Sequence, residues 1–100
     1  MILHTVNKSP FERNSFSSCL MHALPGSGVL LLEDGVYAAL QGTAASEAVT
    51  AAAKQVKLYA LGPDLDARGI SAKVMDCINV VDYTGFVKLV EKHDRVQAWL

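Results

Sequence analysis

Cys19 and His22 are the residues best placed to do covalent chemistry. They stand three apart in a stretch, Ser9 to Leu24, where Phe16, Leu20, Ala23 and Leu24 recur at helical spacing. Residues at i and i+3 of a helix are neighbours, so an imidazolium at His22 would reach the thiol and favour the nucleophilic thiolate. The alternative is a small packing thiol at the edge of the apolar stripe, with a solvated histidine beside it. The helix dipole does not help the first reading. Cys19 falls ten residues past the expected cap at Ser9, roughly 15 Å along the axis. The dipole acts only over the first turn.

The other reactive side chains are scattered. Cys77, just ahead of an apolar run, reads as a buried structural thiol. His4 lies inside the first apolar segment and reads as a core or strand-end histidine with no partner that the sequence names. His93 follows an expected helix end, where the dipole favours a cation. Glu33-Asp34 either caps the helix that follows or presents charge at a sheet edge. Trp99 is a large apolar group next to the last residue, where chains fray, which implies burial against its own sheet or against another subunit.

Several chemistries find no support. Gly26-Ser27-Gly28 precedes an apolar run, whereas a dinucleotide fingerprint follows a strand and opens a helix. No phosphate loop ending in Gly-Lys-Ser/Thr and no Gly-x-Ser-x-Gly elbow occurs. The histidines and cysteines lack metal-ligand spacing. No cofactor and no metal is expected. A net charge of −1 without a Lys/Arg run leaves no footprint for direct nucleic-acid binding. No apolar run approaches the ~18 residues of a membrane span, and residues 1–6 lack the basic start and long apolar core of a secretory signal. Two cysteines are too few for a disulfide framework. The expectation is a cytoplasmic protein with reduced thiols, folded as one domain over residues 1–100. Its 51% apolar content in so short a chain points to a partner covering part of the surface.

Strands and helices alternate along the chain. Val29-Leu30-Leu31-Leu32 is an unbroken apolar run that stops at Glu33-Asp34-Gly35, the pattern of a central strand buried on both faces. Ile2–Val6, Lys57–Leu61, Ile78–Val81 and Val96–Leu100 supply four more extended segments. A helix is predicted from the Ser9-Pro10-Phe11-Glu12 capping signature to about Leu24. Further helices are predicted over 36–40, over 44–55 with Ala45, Ala48, Val49 and Ala52 inward, and as one turn over 65–68. The last runs from Tyr83 to about Lys92, capped by Asp82, with Tyr83, Phe86, Val87 and Val90 as its buried stripe. This alternation implies an α/β fold, a mostly parallel sheet of about five short strands with helices on both faces.

Four stretches together resemble the TusB/DsrH family: Leu3-His4-Thr5-Val6-Asn7-Lys8-Ser9-Pro10-Phe11, Leu31 to Ala39, Leu58 to Gly69, and Val81-Asp82-Tyr83-Thr84-Gly85-Phe86-Val87. Val96-Gln97-Ala98-Trp99 fits as well, so the resemblance runs end to end. It implies a three-layer DsrE-like domain in a heterohexameric sulfurtransferase complex, with TusC/DsrF-type and TusD/DsrE-type subunits as partners. Such a complex relays persulfide sulfur to a small TusE/DsrC-type carrier. The principal acceptor cysteine is expected on the TusD/DsrE-type partner, leaving this chain as an accessory or non-catalytic subunit. Cys19 matches the first-helix cysteine of DsrH-type members and is a candidate accessory persulfide or carrier-contact site. That match favours intracellular sulfur oxidation. The alternative is the same kind of complex serving 2-thiolation of a tRNA wobble uridine, with this chain purely structural.

Overall fold

The computed structural model describes residues 1–100. Five strands form one fully parallel sheet: β1 (Ile2–Val6), β2 (Gly28–Leu31), β3 (Lys57–Leu61), β4 (Asn79–Val81) and β5 (Arg95–Trp99). Their order is β4-β3-β2-β1-β5. The unbroken apolar run thus occupies the middle of the sheet, and Val29, Leu30 and Leu31 are all fully buried. The expected three-layer α/β architecture is what forms.

Connection handedness places the helices. From β1 to β4 the chain steps repeatedly in one direction across the sheet, then returns over its full width to β5. Right-handed crossovers therefore put the first helices on one face and the last helix on the other. The side chains agree. Val6, Val29, Leu31, Leu58 and Ala60 point to one face, where α1 (Ser15–His22) and α2 (Ser46–Ala52) bury Phe16, Cys19 and Val49. Leu3 and Leu30 point to the other face and meet Leu89 of α4 (Tyr83–Lys92). A short α3 (Gly62–Ala67) and two 3-10 segments, Glu33–Ala39 and Ser71–Lys73, complete the chain.

Three differences from the predicted helices bear on the site; besides these, the helix predicted over 36–40 is a 3-10 segment over Glu33–Ala39, and the turn predicted over 65–68 is α3, which starts at Gly62. The first helix does not run from Ser9. Residues Ser9 to Glu12 make an isolated turn in which the Ser9 carbonyl accepts from the Glu12 and Arg13 amides and Ser9 Oγ accepts from the Phe11 amide. Phe11, Glu12 and Arg13 are exposed, so no packing holds that turn in line with a helix, and α1 starts only at Ser15. The second helix is shorter than predicted, and its Ala48 faces solvent. The third difference has functional weight. Asp82 caps α4 through a 2.8 Å bond from the Gly85 amide to its Oδ1, as predicted. Yet the helix turns Leu89 and half-buried Phe86 toward the sheet, leaving Tyr83, Val87 and Val90 on the outside.

Candidate functional site

Cys19 sits on the sheet-facing side of α1, fully buried among the apolar side chains of the larger core. It is the fifth residue of the helix, not the tenth past a cap. That is still beyond the first turn, so the dipole lends it nothing. Burial pushes its thiol up to about 12, because a thiolate there would lose its hydration without gaining a counter-charge. The structure does not bring His22 to it. His22 Nδ1 donates to the Ser18 carbonyl at 2.8 Å, and its ring lies beside Trp99, with centroids 5.6 Å apart. Cys77 is partly buried at the margin of the same core, and both thiols are free.

The carboxyl edge of the sheet is built by Glu33 and Asp34, but neither caps a helix. The 3-10 segment has Leu32 at its cap position and no side-chain cap bond. Instead the Glu33 amide, at a residue with φ of 48°, donates to Asp64 Oδ2 at 2.6 Å. Asp34 Oδ1 accepts from Arg68 Nη2 at 2.8 Å and Nε at 3.1 Å, and that hydrogen bond holds the Arg68 guanidinium above its usual range. These contacts strap the 3-10 segment to α3. Gly35, next in the chain, is a packing requirement against β1: a Cβ there would fall 2.1 Å from the Val6 carbonyl oxygen. An open groove of about 600 Å³ lies at the ends of β3 and β4, with Asp66 and Asp82 on its rim. No group of three or more His, Cys, Asp or Glu side chains converges as a metal site.

The register of β5 on β1 brings together residues that are far apart in sequence. Gln97 pairs with His4 and Trp99 with Val6, so Trp99 lies on the same face as His4. Trp99 Nε1 donates to His4 Nδ1 at 3.0 Å. Trp99 is the partner that the sequence could not name for His4, and it is buried in part against its own sheet. Desolvation lowers the pKa of His4 and keeps it neutral. Local periodicity carries no signal for this cluster, since only the pairing of first and last strands creates it.

The family follows from comparison with known proteins. Residues 8–96 match the family described as DsrH like protein. The chain belongs to the TusB/DsrH family. TusB of Erwinia tasmaniensis is 43% identical over 98 residues, covering 98% of this chain and all of that protein. TusB of Escherichia coli K12 is 40% identical over the same span and coverage. The fold is shared more widely. The ychN protein from E. coli superposes with a TM-score of 0.78 at 20% identity over 97% of both chains. A protein of unknown function from Methanobacterium thermoautotrophicum, MTH1491, superposes at 0.74 with 16% identity over 97% of this chain and 96% of its own. At those identities the likeness concerns the fold alone. This TusB/DsrH-family chain has no helix long and apolar enough to cross a membrane.

Proposed function

We propose that this chain is a non-catalytic subunit of a cytoplasmic sulfur-relay complex. It assembles with TusC/DsrF-type and TusD/DsrE-type subunits into a heterohexamer, which passes persulfide sulfur to a TusE/DsrC-type carrier. The observation that carries the subunit role is the outward stripe of α4. Tyr83, Val87 and Val90 recur at i, i+4 and i+7 and are 60%, 56% and 40% exposed, on a helix with good reason to bury them. On the edge strand β5, Val96 is likewise exposed. A neighbouring subunit over the α4 stripe accounts for the apolar excess of the sequence.

The buried, neutral thiol of Cys19 supports a packing role, with sulfur carried by a partner's cysteine. A relay thiol must be ionised and reachable to attack a persulfide, and Cys19 in this chain is neither. The TusB name of relatives at 40–43% identity favours tRNA thiolation over the sulfur oxidation suggested by the position of Cys19.

The test is deletion of the gene followed by measurement of 2-thiouridine in tRNA. Wild type and Cys19→Ser should restore it. Val87→Asp should fail to restore it and should drop out of the co-purified complex while the free chain stays folded. Rescue by Val87→Asp would remove the docking role from α4. Failure of Cys19→Ser at normal complex levels would make Cys19 a relay station. Unchanged thiouridine with impaired oxidation of stored sulfur would move the chain to the other branch, and loss of neither process would end the sulfur-relay reading.

A further inference from the structure

A cleft of about 380 Å³ opens over the β1–β5 edge, on the face that carries α1. Its size falls at the small end of ligand pockets, which run to ~300–1,000 Å³. No helix covers it, because α1 ends at His22 and the chain then turns away through Pro25 and Gly26 into β2. Trp99, Ile2 and Leu24 make the apolar part of the wall.

The polar part is unusual in its hydrogen bonding. Trp99 Nε1–H only donates, so His4 Nδ1 must accept, and the proton of the neutral imidazole sits on Nε2. His4 is 4% exposed, and Nε2 has no partner within the chain. Ser27 is 2% exposed, and its Oγ likewise has none. Neither atom is sealed away, because the sealed side-chain atom without a partner is Asn7 Oδ1. Both therefore open onto the cleft that they line. Both are narrowly accessible, so a ligand seated in the cleft would take over hydrogen bonds that only water can make in the free chain.

Charge indicates what that something is. Arg95 lines the cleft, and its guanidinium pairs with no carboxylate. The carboxylate on the rim, Asp94, is already bound by the Met1 ammonium. His22 and Gln97 add further polar edges. Available groups are mainly donors, and the free charge is positive, beside an apolar wall dominated by an indole.

We propose that this cleft is a binding site for a small organic anion, whose carboxylate or sulfonate head is held by Arg95, His4 Nε2 and Ser27 Oγ and whose apolar body packs on Trp99. The site is independent of the relay reading, since no residue of the α4 stripe lines it. The anionic head alone would leave most of the volume to water, and the apolar body alone would leave Arg95 without a counter-charge.

Trp99 is the sole tryptophan and reports directly on occupancy. The experiment titrates the full chain, at ionic strength matched with sodium chloride, with benzoate and benzenesulfonate, following Trp99 fluorescence and calorimetric heat. Acetate serves as a head without a body and benzyl alcohol as a body without a charge. Saturable binding of both aromatic anions is expected, with each control weaker by about tenfold, the effect of one charge-assisted hydrogen bond. Arg95→Gln and Ser27→Ala should each weaken benzoate by a similar factor. Arg95 is exposed, so its variant folds and stays informative if Ser27→Ala does not. Benzyl alcohol binding as well as benzoate would overturn the anion assignment. Absence of saturation, or unchanged binding in Arg95→Gln, would overturn the site. Repeating the titration on the co-purified complex gives a separate answer: binding there sustains a functional site, and its loss shows a cleft covered by a subunit and refutes it.

Discussion

Alkylation of Cys19 measures whether this thiol can take part in sulfur transfer. Its pKa is pushed from 9.0 to about 12 by burial. Each unit lowers the thiolate fraction tenfold, so at pH 8 Cys19 should carry about a thousandth of the thiolate of an ordinary cysteine. Full burial adds a second barrier, because iodoacetamide reaches the sulfur only when α1 opens from the sheet. Differential labelling with light and heavy iodoacetamide, read by mass spectrometry, compares the native chain with the chain in denaturant. Cys19 should label at least ~1,000-fold more slowly in the native state, and Cys77, which is partly exposed, serves as the internal reference. Labelling of Cys19 within about tenfold of the denatured rate would refute the reasoning, since it would require a thiolate that the core as described does not stabilise. The same shift fixes an alkaline signature. A group whose folded pKa is raised contributes fully below its unfolded pKa and loses that contribution as pH rises toward the folded value. Stability should therefore hold below pH 9 and fall between pH 9 and about 12, by up to ~1.4 kcal/mol per pH unit. Cys19→Ala should remove that slope while losing some core packing.

Gly35→Ala should destabilise the chain by about 3 kcal/mol or more, because the new methyl meets backbone rather than a movable side chain; thermal or urea unfolding measures it, and a near-neutral variant would show that the 3-10 segment can lift off β1. Asp34→Asn should cost under about 1 kcal/mol, since the Asp34–Arg68 pair is partly exposed, at 56% and 23%; a larger loss in the same melts would make the strap a cooperative part of the core. His4 has a lowered pKa, so its contribution is complete above 6.5 and declines as pH falls below that value. Protonation of Nδ1 removes the bond from Trp99, so native Trp99 emission should change where native His4 itself protonates, at the acid end of this window and after stability has begun to fall. Emission that stays constant from pH 7 to the acid unfolding edge would contradict the pairing. The neighbours of that switch are His22, Arg95 and the Met1–Asp94 pair, and none supplies a free carboxylate to retain the proton.

Much of the architecture was legible because it depends on local rules. Four apolar residues in a row cannot alternate between core and solvent, so Val29 to Leu32 had to be covered on both faces. Asp82 was legible as a cap because its carboxylate satisfies an amide within the next turn. Facing was harder. Tyr83, Val87 and Val90 have the spacing of a buried stripe, and spacing alone cannot say whether the sheet or a second protein buries it. The Ser9 capping signature failed for a related reason: it describes one turn well, but only packing carries a helix onward, and nothing apolar there faces the sheet.

The sequence by itself determined the strand–helix alternation, the central strand, the absence of a membrane-spanning helix and, through stretches spread over the whole chain, the family. Each follows from residues a few positions apart or from similarity in order along the chain. Tertiary structure alone decided the surroundings of the reactive groups. Cys19 and His22 are neighbours in sequence, yet the sheet takes one and Trp99 the other. His4 and Trp99 are 95 residues apart and share a hydrogen bond. The physical reason is that a pKa or a hydrogen bond depends on what desolvates and faces a group, and in a parallel sheet those neighbours come from strands that only the completed crossover brings together.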